Sequence, residues 1–478
     1  MSDVVSFGAE GDGESDDTQA IVHAIREGDG VVRFGRGRYR ITRTIEIPLP
    51  ATRCTSLEGN QGTAKIIMAG PGPAFRIVGD HGGTADPLGV QPGVWLRQRM
   101  PMISGLEIEG AHERASGIEL VGAFQPVLSG VLLRDLWHGV MLTERNRNVL
   151  ISDCQIYHNR GAGILMDKVN LHQINITGNH ISYNRLGGIR IQRSEIRNLQ
   201  ITGNDIEYNN YRSHPGAEPD ESAAEILIDS QGEALGGIRP SVRELTIASN
   251  TIQSTYSPGG ANIRILGPDP TGYLPPGMAA ISGNLIGNQA INLHLAGCRG
   301  IAVSGNFIYS GFTHNVLVED SDDLTFGANS IGHNYWVPNR QVDANLRFVR
   351  SRDCVLNGMQ MRGAPLGETH WEERWNEGEG REHRALVELV ACQRFNLSGC
   401  LIRDPAPCGI YLNDCSTVNV SGCQIFDSRD TKLMRRPIEW EGSGQGSLLA
   451  GNTFDRGTDG GVRIGGEVDV RMSTNLEG

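Results

Sequence analysis

The sequence predicts an all-β protein, a right-handed parallel β-helix of about 12–13 coils with three short strands per coil and a short N-terminal capping helix. Two observations support this class. A phrase of alternating apolar residues, a small residue, Gly and often Asn recurs along the chain, and its shortest spacing is 22 residues, with several spacings of 23 or 25. Internal repetition at such a period is typical of solenoids, in which each unit buries its apolar side against its neighbours.

The repeated phrase defines one register position per coil. Seven of these positions carry Asn, and six others carry an apolar residue or Cys in the same frame. In chain order the register positions are Leu106, Val131, Cys154, Asn179, Asn204, Asn250, Asn284, Asn306, Asn329, Met359, Cys400, Cys423 and Asn452.

The period is long enough for three short strands and three turns. Alternation with period 2 inside each strand argues against a helical solenoid, which would show a period of 3.6. Asn repeated at one turn predicts a ladder of stacked amides, each bonded to its counterpart one coil away. We therefore expect six of these side chains to stack in one line, namely Asn179, Asn204, Asn250, Asn284, Asn306 and Asn329.

Composition restricts the classes of function. The formal charge of −12 argues against a general nucleic-acid or anionic-membrane binder, because an acidic surface is repelled by both. No apolar run approaches the roughly 20 residues needed to span a bilayer. The first residues lack a basic stretch followed by an apolar core, so we expect either an intracellular protein or one exported with a leader outside this sequence.

The nine cysteines form no CxxC pair, which makes a disulfide framework or a zinc site an unfavourable interpretation. Three of them occupy register positions, and three more recur one turn earlier. Buried, unpaired thiols are therefore expected. The six residues are Cys154, Cys400, Cys423, Cys298, Cys392 and Cys415.

The amino-terminal segment carries a family resemblance. Residues 7–13 read FGAEGDG and residues 15–21 read SDDTQAI, followed by VVRF at 31–34 and GRYRI at 37–41. This pattern resembles the start of the pectin-lyase-like superfamily, which includes pectate lyases, polygalacturonases, alginate epimerases, inulin fructotransferases and phage tailspikes. The resemblance implies a loop and short helix that cap the first coil, and Ser15 or Asp16 is suited to begin that helix.

The predicted organisation is an N-terminal cap over residues 1–50 and a β-helix over 51–478. Three insertions interrupt the coils, at 209–222, 334–343 and 363–384, and all precede the same sheet. They are expected to form one wall of a groove. Trp336 and Trp371 lie in them and are candidates to stack on sugar rings.

Outward residues of that sheet supply the candidate site. Pairs of inward apolar residues, such as Ile164/Met166, Ile226/Ile228 and Ile291/Leu293, leave their neighbours pointing outward. The outward positions carry carboxylates, arginines, amides and a histidine over about six adjacent coils. The candidate catalytic residues are Asp229, Glu225, Asp167, His294 and Glu319, and the candidate substrate-binding residues are Arg190, Gln192, Asn262, Arg264, Asn292, Trp336 and Trp371.

Sheet geometry suggests how these residues could act. Asp167 and Asp229 share a column two coils apart, or roughly 9.6 Å between backbones. His294 and Glu319 are predicted in one column on adjacent coils, where an acid–base pair is natural. We expect Asp229, flanked by arginines, to be the ionised partner of a catalytic pair, with another of the candidates supplying the proton.

Three functions stay open at this point. The resemblance implies first an enzyme that cleaves or transfers glycosidic bonds of a poly- or oligosaccharide without a cofactor. The second is a polysaccharide lyase, which removes a proton from a uronic acid and could require calcium, and the third is a non-catalytic glycan-binding or tailspike-like protein. A saccharide is the expected partner in all three, nucleic acid and membrane are not, and a homotrimer is one open oligomeric state because trimers occur among related β-helices.

Overall fold

The computed structural model describes residues 2–83, 86–218, 223–232, 239–268, 275–334, 345–363 and 383–478. The chain divides into an amino-terminal unit, Met1–Thr246, and a carboxy-terminal unit, Ile247–Gly478. Each unit is a parallel β-helix, in which every strand pairs in parallel with the strand one coil away. The predicted fold class is confirmed, but the expected 12–13 coils are too few, since the third sheet has 17 strands in the described residues. The predicted division at residue 50 stays a prediction.

The amino-terminal unit has three sheets, and two strands run without a break from the first sheet into the second. First-sheet strands are Ile45–Pro48, Gly72–Val78, Ala115–Val121, Val140–Ser152, Ile164–Thr177, Ile189–Gln192 and Ala224–Asp229. The other second-sheet strands are Ser2–Asp3, Val31–Phe34, Ser56–Gly59, Met102–Ser104, Val127–Ser129, Glu195–Thr202 and Ser241–Ala248. Third-sheet strands are Asp12–Asp16, Gly37–Ile41, Ala64–Met68, Leu106–Gly110, Leu132–Arg134, Gln155–Tyr157, His180–Ser182 and Asp205–Glu207.

The carboxy-terminal unit repeats the same order of sheets. First-sheet strands are Ala261–Leu266, Ile291–Ala296, His314–Glu319, Leu346–Val349, Val387–Val390, Cys408–Asn413, Arg436–Glu441 and Arg463–Ile464. Second-sheet strands are Gly277–Ser282, Arg299–Ser304, Asp322–Gly327, Arg352–Asn357, Gln393–Ser398, Ser416–Ser421, Ser443–Ala450 and Glu467–Ser473. Third-sheet strands are Thr251–Gln253, Leu285–Gly287, Phe307–Tyr309, Ser330–Gly332, Gln360–Arg362, Leu401–Arg403, Gln424–Phe426, Thr453–Phe454 and Leu476–Glu477.

Helices are short and lie mainly near the start of the chain. The α-helices are Thr18–Glu27, Leu49–Thr52 and Pro92–Arg97, and the 3-10 helices are Val4–Phe7, Pro87–Gly89 and Tyr211–Ser213. The first α-helix begins after Asp17, so the expectation of Ser15 or Asp16 at its N-cap is wrong. The Asp17 carboxylate instead accepts hydrogen bonds from the N–H groups of Glu10 and Gly11, 2.7 and 3.2 Å away, and so fixes the preceding loop.

The predicted asparagine ladder is present in both units. In the amino-terminal unit the Asn179 backbone N–H and side-chain amide both donate to Asn204 Oδ1 at 3.0 Å. In the carboxy-terminal unit the same double contact links Asn284 to Asn306 and Asn306 to Asn329, at 2.9–3.0 Å. These amides are buried and replace the backbone partners that a tight turn lacks.

The amino-terminal unit has a second ladder, at the turn between the third and first sheets. Asn159 donates to Asn184, Asn184 donates to Asn209, and all three residues are fully buried. Gly188 lies beside it, and a Cβ there would come within 3.1 Å of the Asn209 amide nitrogen. The nearest atoms would be the Glu225 carbonyl oxygen and an Ile206 methyl carbon, each 2.8 Å away, so close packing of the next coil accounts for the glycine.

The cysteines yield a direct test of the packing. All nine are free thiols, and eight are buried, including the six expected in the core. Burial also raises the pKa of Cys154 to about 11. We expect an aromatic disulfide reagent to titrate one thiol in the native protein, Cys54, and nine after denaturation. Rapid reaction of several thiols in the native state would contradict the buried positions.

Candidate functional site

The outward face of the first sheet in the amino-terminal unit contains a column with two carboxylates. Strand pairing aligns Asp167 with Gln192 and Gln192 with Asp229. All three side chains are partly exposed. The predicted shared column is confirmed, with an amide between the two carboxyl groups.

Asp167 is held by an arginine that follows this sheet. Arg193 Nε donates to Asp167 Oδ1 at 2.8 Å, and Arg193 Nη2 donates to Oδ2. A bidentate pair of this kind fixes both the position and the orientation of a carboxylate. His138 is nearby and largely buried, and burial lowers its pKa to about 4, so its imidazole is neutral near pH 7.

Arg190 does not flank Asp229 as expected. Arg190 pairs in register with Leu227, one column away, and its guanidinium donates to Gln192 Oε1 at 3.1 Å and to the Leu186 carbonyl at 3.2 Å. The Asp229 carboxylate accepts from the Gln231 N–H at 2.9 Å. In this unit the carboxylate that contacts an arginine is therefore Asp167 and not Asp229.

Glu225 is not outward, and this part of the prediction is wrong. Its side chain is 1 % exposed. Its carboxylate accepts from the Asn209 backbone N–H at 2.9 Å and from the Asn209 side-chain amide. Glu225 precedes the first inward residue of its strand, where the chain is still turning, so its side chain reaches the second ladder and accepts from its last asparagine.

The prediction that Asn262 and Asn292 point outward and bind substrate is wrong for the same physical reason. Each stands immediately before the first core residue of its strand, and each is fully buried. Asn262 donates to Asn292 at 2.8 Å, and Asn292 donates to Asn315 at 2.7 Å. In the carboxy-terminal unit these asparagines form a ladder at this turn, so they are unavailable to bind a substrate.

In the carboxy-terminal unit, Arg264, His294 and Glu319 are brought together. Arg264 Nε donates to His294 Nδ1 at 3.1 Å, and His294 Nε2 lies 3.1 Å from Glu319 Oε2. The predicted contact of His294 with Glu319 is present, but the predicted column is not. Strand pairing sets His294 opposite Leu317 and Ala296 opposite Glu319.

The predicted column is wrong because it counts Ile291 and Leu293 as the inward residues of this strand. The core residues are Leu293 and Leu295, which pair with Val316 and Val318, whereas Ile291 lies at the strand edge. The sequence INLHL allows both assignments, since its apolar residues at positions 291, 293 and 295 alternate throughout. The longer Glu319 side chain reaches His294 diagonally.

The hydrogen bonds of His294 limit its chemistry. Nδ1 accepts from Arg264, so the ring proton is on Nε2 and points to Glu319. Burial lowers the pKa of His294, and the hydrogen bond from His294 lowers the pKa of Glu319. With both nitrogens engaged, His294 positions Glu319 rather than offering a free lone pair to a substrate.

A further charged group, absent from the residues predicted above, lies on the first sheet of this unit. Glu388 pairs in register with Arg347 and Tyr411, and its carboxylate accepts from Arg347 Nη1 at 3.0 Å and the Arg384 N–H at 2.7 Å. Burial raises its pKa, but hydrogen bonds from His383 and Arg384 and the Arg347 charge bring it below the ordinary value. Alternation in VELV, residues 387–390, would have indicated Glu388.

Several predicted residues lie outside the described part of the chain. Trp336 and Trp371 belong to residues 335–344 and 364–382, and the insertion at 209–222 is described only to residue 218. Within the described ranges, no group of three or more His, Cys, Asp or Glu side chains is arranged to hold a metal ion. None of the helices in those ranges has the length and hydrophobicity needed to cross a membrane.

Comparisons with known proteins agree with this architecture. The family described as "Right handed beta helix region" matches residues 90–217, and the family described as "Rhamnogalacturonase A/epimerase, pectate lyase-like" matches residues 1–104. No curated protein matches the chain.

Three solved structures are similar to this chain at low identity. The tailspike protein of the E. coli bacteriophage HK620, a mutant in complex with a pentasaccharide, is 12% identical, with 99% of this chain and 78% of that chain covered and a TM-score of 0.51. The mannuronan C-5 epimerase AlgE6 A-module of Azotobacter vinelandii is 14% identical, with 100% and 99% covered and a TM-score of 0.40. The Dettilon tailspike protein is 16% identical, with 87% and 65% covered and a TM-score of 0.43.

The chain thus spans the epimerase module but only 65% of the Dettilon tailspike. At 12% identity the likeness to the HK620 tailspike supports the fold and leaves the activity open. The repeated strands and the two family models, which match residues 1–104 and 90–217, agree with a right-handed parallel β-helix fold.

Proposed function

We propose that the chain acts on a poly- or oligosaccharide lying along the first sheet of the amino-terminal unit, and that Asp167 and Asp229 cleave or transfer a glycosidic bond. The shared column is the observation that supports this proposal. Two strand spacings separate the backbones by about 9.6 Å. That is close to the upper end of the roughly 6.5–9.5 Å between the carboxyl groups of inverting glycosidases.

The contacts of the two carboxylates favour different roles. Asp167 accepts two hydrogen bonds from Arg193, which suits an ionised group that activates water or stabilises a developing positive charge. Asp229 accepts one backbone hydrogen bond and has no arginine contact within the described residues of its unit. We therefore assign proton donation to Asp229, which reverses the roles expected from the sequence.

Gln192 and Arg190 suit substrate binding in this proposal. Gln192 stands between the carboxylates, and Arg190 lies in the next column with part of its side chain exposed. Both can donate to sugar hydroxyl groups. Trp336 and Trp371 stay proposed stacking residues. In the carboxy-terminal unit, Arg264, His294 and Glu319 are proposed as a second polar surface for a saccharide, with His294 as a positioning residue.

The comparisons favour saccharides as the first ligands to test. A tailspike of this fold is described in complex with a pentasaccharide, and an epimerase of this fold is described as acting on mannuronan. An extended ligand also suits a polar column that repeats at the spacing of successive coils. Oligomeric assembly, including a trimer, is a separate proposal that sedimentation can decide.

The test is a panel of neutral, amino and uronic-acid polysaccharides. Each is incubated with the protein and assayed for new reducing ends and for unsaturated products that absorb ultraviolet light. We expect reducing ends without absorbance if a bond is hydrolysed, and a changed chain-length distribution if it is transferred. Turnover of no member of a broad panel would contradict the proposal.

A lyase is the second candidate, because Arg190 could neutralise the carboxylate of a uronic acid beside Asp167. A lyase abstracts the proton next to that carboxylate and expels the leaving sugar, so a carbon–carbon double bond forms. An increase in ultraviolet absorbance would therefore favour the lyase and exclude hydrolysis as the main reaction.

A further inference from the structure

The third sheet of the amino-terminal unit has a small depression, which we call the Ser182 notch. Strand pairing aligns Tyr157 with Ser182 and Ser182 with Glu207, so a small residue lies between two large ones. His180 and Asp205 face each other in the neighbouring column. All five residues belong to the amino-terminal unit and lie on a different sheet from Asp167 and Asp229.

Ser182 forms the floor of the notch. Ile181 is fully buried in the core, so alternation directs Ser182 to the outer side of the sheet. Ser182 is nevertheless only 5 % exposed. Within the described residues its hydroxyl makes no hydrogen bond, so it is available to bond a ligand in the notch.

The carboxyl groups beside Ser182 are also incompletely bonded. Glu207 is partly buried, and its carboxylate makes no hydrogen bond or ion pair among the described residues. Burial raises its pKa, and the charge of Asp205 raises it further. Asp205 Oδ2 lies 3.4 Å from His180 Nδ1, while Asp205 Oδ1 is buried without a partner. Two acidic groups thus share one depression with little positive charge.

The other large residue of the notch has a free polar group as well. The Tyr157 hydroxyl forms no hydrogen bond within the described part of the chain. Burial raises the pKa of Tyr157, and the charges of Asp205 and Glu207 contribute. The phenol is therefore a neutral donor and acceptor beside two carboxylates.

Carboxylates elsewhere in this sheet are bonded differently. Glu109 occupies the same column, aligned with Arg134, and Arg134 is aligned with Tyr157. Glu109 accepts from Lys65 Nζ at 2.6 Å and from Arg134 Nη2. Glu109 is therefore neutralised by two cations. Glu207 and Asp205 depart from that pattern.

A row of stacked rings borders the notch. His158, Tyr183 and Tyr208 directly follow Tyr157, Ser182 and Glu207 along the chain. The His158 and Tyr183 ring centroids are 4.9 Å apart at 12°, and those of Tyr183 and Tyr208 are 6.0 Å apart at 1°. The row gives an apolar border to a polar depression. That combination suits a ligand with both a polar edge and C–H faces, such as a sugar ring.

We propose that the Ser182 notch binds a protonated amino group carried by a hydroxylated ring, that is, an amino-sugar unit. The ammonium group would donate to Asp205 and Glu207 and relieve their mutual repulsion, while Ser182 and Tyr157 would bond the adjacent hydroxyl groups. A neutral sugar would leave the two carboxylates unneutralised, and a uronic acid would be repelled. The site is independent of catalysis at Asp167 and Asp229.

The direct test is calorimetric titration of the whole protein with a glucosamine trisaccharide, at a pH where its amines are protonated. The fully N-acetylated trisaccharide and trigalacturonate serve as matched neutral and anionic ligands. We expect measurable binding of the amino trisaccharide and at least about tenfold weaker binding of the other two, the factor expected when hydrogen bonds to charged groups are lost. Equal binding of the acetylated ligand, or no binding of the amino ligand, would overturn the proposal.

Variants locate the binding on the protein. Glu207→Gln and Asp205→Asn should each weaken binding of the amino trisaccharide about tenfold. Glu109→Gln, in the same column, is the matched control and should have no effect. If Glu109→Gln weakens binding as much as Glu207→Gln does, the attraction is a general effect of acidic charge and the notch is not the site. Melting temperatures of all three variants show whether each is folded.

Asp229→Asn separates this inference from the proposed catalytic function. The variant should retain full affinity for the amino trisaccharide, because residue 229 lies on another sheet. Loss of binding in Asp229→Asn, with Glu207→Gln unaffected, would overturn the assignment of the ligand to the third sheet.

Discussion

Turnover of the saccharide substrate should fall about a hundredfold or more when Asp229 is replaced by Asn, on the order of a typical acid–base contribution. The amide cannot donate a carboxylic proton to the leaving group. Its oxygen can still accept the 2.9 Å hydrogen bond from the Gln231 N–H, so the loop after the strand keeps its contact. The melting temperature is therefore expected to stay within a degree or two of the parent protein, since surface substitutions of this kind change stability by roughly 0.5 kcal/mol or less.

A matched control is available in the same unit. Asp153 is exposed in a turn and has a positive φ of 56°, a conformation that Asn also adopts readily. Asp153→Asn makes the same chemical change away from the first sheet and should leave turnover unchanged. If Asp229→Asn keeps normal turnover on the substrate found with the panel, the proton donor is another group and the proposed pair is wrong.

Replacing Asn184 with Ala should destabilise the amino-terminal unit by about 4 kcal/mol, a large value for one residue. Its amide donates to the Ile156 carbonyl at 3.1 Å and to Asn209 Oδ1 at 2.7 Å, and its carbonyl accepts from the Asn159 amide at 2.7 Å. Removing it leaves several buried donors and acceptors short of a partner, and each costs roughly 1–3 kcal/mol.

Urea unfolding measures this effect, and Asn175→Ala is its control. Asn175 lies on an exposed second-sheet position, so its loss should change the free energy of unfolding by roughly 0.5 kcal/mol or less. Equal effects of the two substitutions would show that the buried ladder contributes little to stability. A larger effect of Asn184→Ala than of Asn175→Ala is expected because only Asn184 bonds two neighbouring coils.

The fold could be predicted because each coil repeats the same local requirements. Alternation with period 2 identified the inward residues of most strands, and a buried amide at a tight turn identified the ladder through Asn179 and Asn306. Cys154 could be assigned to the same line because it occupies the same register position, and the structure has its N–H donating to Asn179 Oδ1 at 3.0 Å. Because the same residue type recurs at one register position in many coils, a single sequence suffices to predict the environment of that position.

The site was predicted less well because strand ends do not follow the alternation. Counting from Ile226 predicts an outward Glu225, yet the chain is still turning there and the Glu225 carboxylate accepts hydrogen bonds from Asn209. The sequence predicts His294 opposite Glu319, whereas strand pairing sets it opposite Leu317. The apolar residues at 291, 293 and 295 fit both registers. In both cases a neighbouring coil decides the orientation, and no local pattern contains that information.

The sequence by itself determined the fold class, the parallel coils, the asparagine line and the shared column of Asp167 and Asp229, because these follow from spacing and alternation along the chain. Only the tertiary structure decided which polar groups are partnered. Arg193 bonds Asp167, Arg264 and Glu319 engage His294, and Glu207 has no partner in the described chain. These hydrogen bonds and ion pairs join side chains on neighbouring coils, more than twenty residues apart in the chain. Strand periodicity does not specify which side chains meet.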